Sequence, residues 1–160
     1  MKKSIIIVIS LLVVIILTLC IFVYINNDKE EVENITVSLS SLETKIQNID
    51  EFDYSKMQDI DKEFATSTFL IDSSKIQDII GKSPIINTTA SMYVIIKAEE
   101  LNLQEIQMAL ESYGVEYETQ WSNYLPDQYE LVKNRHIGIK GNYVYMIISE
   151  NPEKIIELIK

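Results

Sequence analysis

The sequence predicts an α+β fold, an antiparallel sheet of three or four strands with flanking helices, preceded by one N-terminal transmembrane helix. Three observations carry this reading. Ile5–Ile25 is an unbroken apolar run. His136–Ser149 alternates around a Gly-Asn turn. Residues near 101–124 repeat apolar side chains at helical spacing.

The run IIIVISLLVVIILTLCIFVYI has 21 residues and no charge. As a helix it is about 31 Å long, close to the roughly 30 Å hydrocarbon core of a bilayer. A cleavable signal peptide has a shorter apolar region followed by small residues; here Val23, Tyr24, Ile25 and Asn26 follow instead. A lipoprotein carries a small residue before the modified cysteine and turns polar after it. Leu19 precedes Cys20 and further apolar residues follow, so Cys20 reads as part of the helix. Lys2 and Lys3 lie on one side, and Asn26, Asn27, Asp28, Lys29, Glu30 and Glu31 on the other. The positive-inside rule then puts the N-terminus in the cytoplasm and the rest outside the plasma membrane. The expected divisions are a cytoplasmic stub (1–4), the transmembrane helix (5–25), a juxtamembrane linker (26–38) and an extracytoplasmic domain (39–160).

Residues 26–160 hold 12 basic and all 24 acidic residues of the chain, a net charge of −12. Nucleic acid is a poor partner for this part, because phosphate binding relies on clustered Lys and Arg. With Cys20 the only cysteine, no intrachain disulfide forms and the fold rests on its core. The sequons at Asn34 and Asn87 matter only in a eukaryotic secretory route, which nothing else in the chain suggests.

Along the outer part, Val32, Ile35, Leu39, Leu42, Ile46 and Ile49 form a helical stripe. Ser40 with Glu43 reads as a capping box that starts the helix later than Val32. Extended backwards, the stripe suggests a short coiled coil and a homodimer. Asp50–Phe64 is acidic and reads as a solvated helix face or loop. A calcium loop requires a glycine at its sharp turn, which this segment lacks. Ile79–Asn87 and Ser91–Ala98 read as strands, the first weakened by Gly81 and Pro84. Met92, Val94 and Ile96 share one face; Tyr93, Ile95 and Lys97 share the other.

Leu103, Ile106, Leu110, Tyr113, Tyr117, Trp121 and Tyr124 follow spacings of three and four, which predicts a long helix stopped by Pro126. A helix ending at Gly114 with a strand after it is the alternative. A short helix over Asp127–Lys133 follows, then the hairpin. Pairing Lys140 with Tyr143 across Gly141–Asn142 puts Ile137, Ile139, Val144, Met146 and Ile148 on one face. A C-terminal helix begins at Asn151 or Pro152, with Ile155, Ile156 and Ile159 as its apolar side.

The strings YLPDQYELVKN and IKGNYVYMIISEN, preceded by IIKAEE, resemble domain-of-unknown-function family 4358 over roughly Leu39–Ile159. The resemblance implies a bacterial, exported, membrane-tethered domain at the cell envelope, in a gene context of envelope polysaccharide O-acylation. It implies no activity and no catalytic residues. Two departures stand out: Ser91 and Met92 where many relatives have an acidic residue, and Glu111, Glu116 and Glu118 on a helix that is basic in relatives.

No catalytic residue, cofactor or metal is assigned. His136 lacks an orienting acid or nucleophile in the sequence, no serine sits in a nucleophile elbow, and paired carboxylates for glycoside hydrolysis are the weakest reading of an acidic chain. The candidate interaction surface is tyrosine-rich. Tyr93, Tyr143 and Tyr145 share the second sheet face, which is either covered by helices or open to a protein or glycan partner. Tyr124, Gln128 and Tyr129 form a second patch around Pro126. The function read from these features is a non-catalytic accessory or interaction module of the envelope. The alternatives are a component of envelope polysaccharide modification and a glycan-binding domain.

Overall fold

The computed structural model describes residues 38–159. The expected membrane helix (5–25), the linker and the start of the stripe at Val32 and Ile35 lie outside the described residues. Among those described, no helix is long and apolar enough to cross a membrane.

The domain is α+β, with the elements α1 (Leu39–Gln47), β1 (Met57–Asp59), α2 (Lys62–Thr68), β2 (Asp78–Pro84), β3 (Met92–Lys97), α3 (Glu100–Trp121), α4 (Pro126–Lys133), β4 (His136–Lys140), β5 (Tyr143–Ile148) and α5 (Glu153–Ile156). The sheet has five strands in the order β1-β2-β3-β5-β4, every neighbouring pair antiparallel. This exceeds the expected three or four. The extra strand, β1, is a three-residue edge whose Met57 faces Pro84 and whose Asp59 faces Lys82. It lies in the stretch read as a helix face or loop. Asp59 binds Lys82 and the Asp61 carboxylate caps α2 by accepting from the Phe64 amide at 2.8 Å, so each acid has a local structural partner.

The hairpin forms as its alternation dictates. Lys140 pairs with Tyr143, and Gly141 takes φ 57°, the left-handed conformation glycine adopts without steric cost. Met92, Val94, Ile96, Val144, Met146 and Ile148 face one core, covered by Leu103, Ile106 and Leu110 of α3, Ala65 of α2 and Val132 of α4. Tyr93, Ile95, Tyr143 and Ile147 face the other, covered by Leu39, Leu42 and Ile46 of α1 with Phe52, Ile155 and Ile159. Both faces of the central strands are therefore covered. Of the two readings of the second face, the covered one holds in the described domain.

Helix boundaries required correction. α1 is capped by Ser38, whose side chain accepts from the Ser41 amide at 3.4 Å, rather than by Ser40. Its Leu39, Leu42 and Ile46 pack on the sheet. α3 runs unbroken through Gly114 but ends at Trp121, ahead of Pro126; the proline opens α4 at its first turn, where its missing N–H leaves no bond unmade. At Gly114 a Cβ would meet the Arg135 side chain at 2.5 Å, so the glycine lets Arg135 cross the helix and bind Glu118 at 2.6 Å. Gly81 is less forgiving, because a Cβ there would lie 2.6 Å from a backbone atom, the Tyr93 oxygen.

Candidate functional site

A chain of aromatic rings runs along α3. Phe69 meets Tyr113 edge-on at 4.8 Å, Tyr113 stacks on Tyr117 at 5.5 Å, Tyr117 meets Trp121 at 6.0 Å, and Trp121 tilts against Tyr124 at 5.6 Å. The helical spacing of four, four and three residues puts them on one side of the helix. The first rings are core. Burial raises the Tyr113 and Tyr117 phenols well above the ordinary tyrosine value. At the end of the helix the chain emerges: Trp121 and Tyr117 are buried, but Tyr124 is 60% exposed.

There the surface sinks into a cleft of about 350 Å³, lined by Asn87, Tyr117, Gln120, Trp121 and Tyr124. Asn87 comes from the β2–β3 loop, which is fixed at both ends. The Ile85 amide donates to the Lys56 carbonyl at 2.9 Å, and the Ala90 amide donates to Gln128 Oε1 at 2.8 Å. The Tyr117 hydroxyl donates to the Ala90 carbonyl at 3.5 Å. Around the cleft in sequence, Ile85 and Ile86 precede Asn87 and Leu125 follows Tyr124, and all three are exposed. Among the described residues the lining has no carboxylate, ammonium or guanidinium, in a chain whose net charge is −10.

Two other concavities differ in kind. One, between β1 and β2, includes Asp59, Asp61, Lys62 and Lys82. Those groups already bind one another or the backbone: Lys62, for example, donates to the Ile76 carbonyl at 2.7 Å. The second is lined by Asp127, Glu130, His136 and Glu150 among others. His136 Nδ1 lies 3.6 Å from a Glu153 carboxylate oxygen, an acid contributed by α5 that the sequence did not pair with it. Among the described residues no group of three or more His, Cys, Asp or Glu side chains is placed to share a metal ion.

The six tyrosine-patch residues thus separate. Tyr93 and Tyr143 are fully buried and Tyr145 half-buried beneath α1 and α5, so the described domain offers no open surface at Tyr93 or Tyr143. The Tyr145 ring lies over Gly138, where a Cβ would meet its hydroxyl at 2.7 Å; it fills the strand position left without a side chain. Gln128 ties α4 to the β2–β3 loop, and Tyr129 packs at the edge of the core with the Lys133 ammonium 5.9 Å from its ring centroid. Tyr124 alone of the six lines the cleft. Sequence reasoning placed Tyr117 and Trp121 on the apolar helix stripe and missed their second role. Nothing in the sequence marks Asn87, 30 or more residues away, as part of the same site.

The profile of the family described as Domain of unknown function (DUF4358) matches residues 50–149. No curated protein and no solved structure matches the chain.

Proposed function

The chain belongs to the DUF4358 family, and from that premise we propose that it is a single-pass, membrane-anchored, extracytoplasmic interaction module of the bacterial cell envelope. In this reading the helix over 5–25 holds it in the plasma membrane with the N-terminus cytoplasmic. The domain acts as a non-catalytic accessory that presents a contact site. One observation supports this above the rest: on a domain whose sheet faces are both covered, the aromatic ladder of α3 ends in an uncharged cleft lined by exposed Tyr124, and exposed Ile86 and Leu125 each adjoin a lining residue in the chain. Exposed apolar side chains gathered at one place are the usual mark of a contact surface. Participation in envelope polysaccharide modification is then the role of whatever complex the module joins.

The test is site-specific crosslinking in living cells. A photoreactive residue in place of Tyr124 should capture a partner from solubilised membranes. The same residue at Leu101, which is also exposed but at the other end of α3, should not. Equal capture at both positions, or capture at Leu101 alone, would refute the assignment of the contact site.

A further inference from the structure

We infer that the α3 cleft is a binding site for a neutral saccharide; this deepens the reading of the domain as an interaction module and rests on it. The lining has two components that suit a sugar together and few other ligands. Tyr124 supplies an exposed aromatic face, set at 54° to the Trp121 ring. The C–H face of a pyranose ring stacks on such a surface, because its hydrogens meet the electron-rich face of the π-system. Asn87, from the loop, and Gln120, from the helix, add two carboxamide residues to the lining. Each carboxamide both donates and accepts hydrogen bonds, as does each sugar hydroxyl.

Charge decides against the other small-ligand classes. An anionic ligand would meet no cation in the lining and would approach a chain of net charge −10. A metal ion or an amine would find no carboxylate there. The cavity, about 350 Å³, falls in the range of small-ligand pockets, roughly 300–1,000 Å³. The loop carrying Asn87 is already held by the Lys56 carbonyl and by Gln128, so binding need not order it first.

The chain has a single tryptophan, Trp121, and it lines the cleft. Its emission therefore reports on this site. The experiment uses the full chain in phosphatidylcholine nanodiscs, which carry no sugar headgroup. The probes are maltotetraose, cellotetraose and tetra-N-acetylchitotetraose, with tetragalacturonate as the charged control. At least one neutral tetraose should change the Trp121 emission saturably, with the charged one weaker. Tyr124→Ala should weaken that binding about tenfold, the scale of one lost aromatic contact. The double substitution Asn87→Ala with Gln120→Ala, which leaves every ring in place, should weaken it by at least as much. An emission that no neutral tetraose alters would overturn the proposal, as would binding that both variants leave intact. If sugars fail while a photoreactive residue at position 124 still captures a protein, the saccharide is refuted and the interaction module stands. If capture fails as well, both fall.

Discussion

The two faces of the sheet use the same residue type to opposite ends. On the face beneath α1 and α5, tyrosine is a filler. Tyr93 sits at 0% exposure against Phe52, with ring centroids 5.2 Å apart, and its hydroxyl has no hydrogen-bond partner among the described residues. On the face beneath α3, the aromatic row begins as core and ends at the surface in Tyr124. A tyrosine's role is thus set by how far the covering layer extends, not by the strand or helix it occupies. The covering of the second face is a tightly bonded arrangement: the Tyr54 hydroxyl donates to the Ile46 carbonyl at the end of α1, at 3.0 Å. Beside Tyr124, 60% exposed, no helix among the described residues closes the cleft.

This contrast can be broken most severely from inside. Tyr93→Ala removes a fully buried ring from the central strand and should cost about 3–5 kcal/mol, the range for aromatic truncation in a core. Denaturant unfolding measures it; a loss below 1 kcal/mol would mean that the α1 layer is not a true core.

The next effect is alkaline. Burial raises the phenol pKa of Tyr93, Tyr113, Tyr117, Tyr143 and Tyr145, and takes Tyr54 to about 12, with the nearby Glu43 and Glu51 carboxylates adding to the shift. Because the folded state holds these protons more tightly than the unfolded chain, the contribution is complete below the unfolded value of about 10. It is lost as pH rises towards and through the folded values. Thermal melts should show stability declining steadily above about pH 10, with phenolate absorbance lagging behind that of free tyrosine. Phenolate absorbance that tracks free tyrosine would contradict the burial of these rings.

Smaller and of opposite sign is Tyr93→Phe. It removes a buried hydroxyl that lacks a partner while keeping the ring, and should stabilise the protein by up to about 1 kcal/mol. A loss of similar size would reveal a bond to the hydroxyl. The smallest effect on stability belongs to Tyr124→Ala, within about 0.5 kcal/mol, as for exposed positions elsewhere.

The sheet interior was readable because strand periodicity is short and self-contained. In β3 and β5 the alternation of Met92, Val94 and Ile96 against Tyr93 and Ile95, and of Val144, Met146 and Ile148 against Tyr143 and Ile147, assigned each side chain to its observed face. The Gly141–Asn142 turn then fixed the register of the hairpin. Both faces being apolar also implied cover, and helices provide it. What escaped was what depends on distant partners. β1 is three residues long, two of them exposed, and exists because Gly81–Pro84 and the segment before Ile60 meet. α2, KEFATST, has a weak helical composition and was found nowhere in the pattern; the Asp61 cap and the burial of Ala65 against the sheet give it its place. The cleft was half legible. Tyr124 stood out as an aromatic beside a proline, but Asn87 reaches it only because the folded β2–β3 loop carries it to the end of α3.

The central claim is that the cleft at Tyr124 is a contact site and not unfinished core. The most direct measurement pairs the melting temperature of full-length Tyr124→Ala with its copurification from crosslinked membranes, against the wild-type chain. Tyr124→Ala should melt within about 3 °C of wild type and lose the copurifying partner. A melting temperature lowered by much more than that, with the partner retained, would show that Tyr124 holds the fold together and that the contact lies elsewhere.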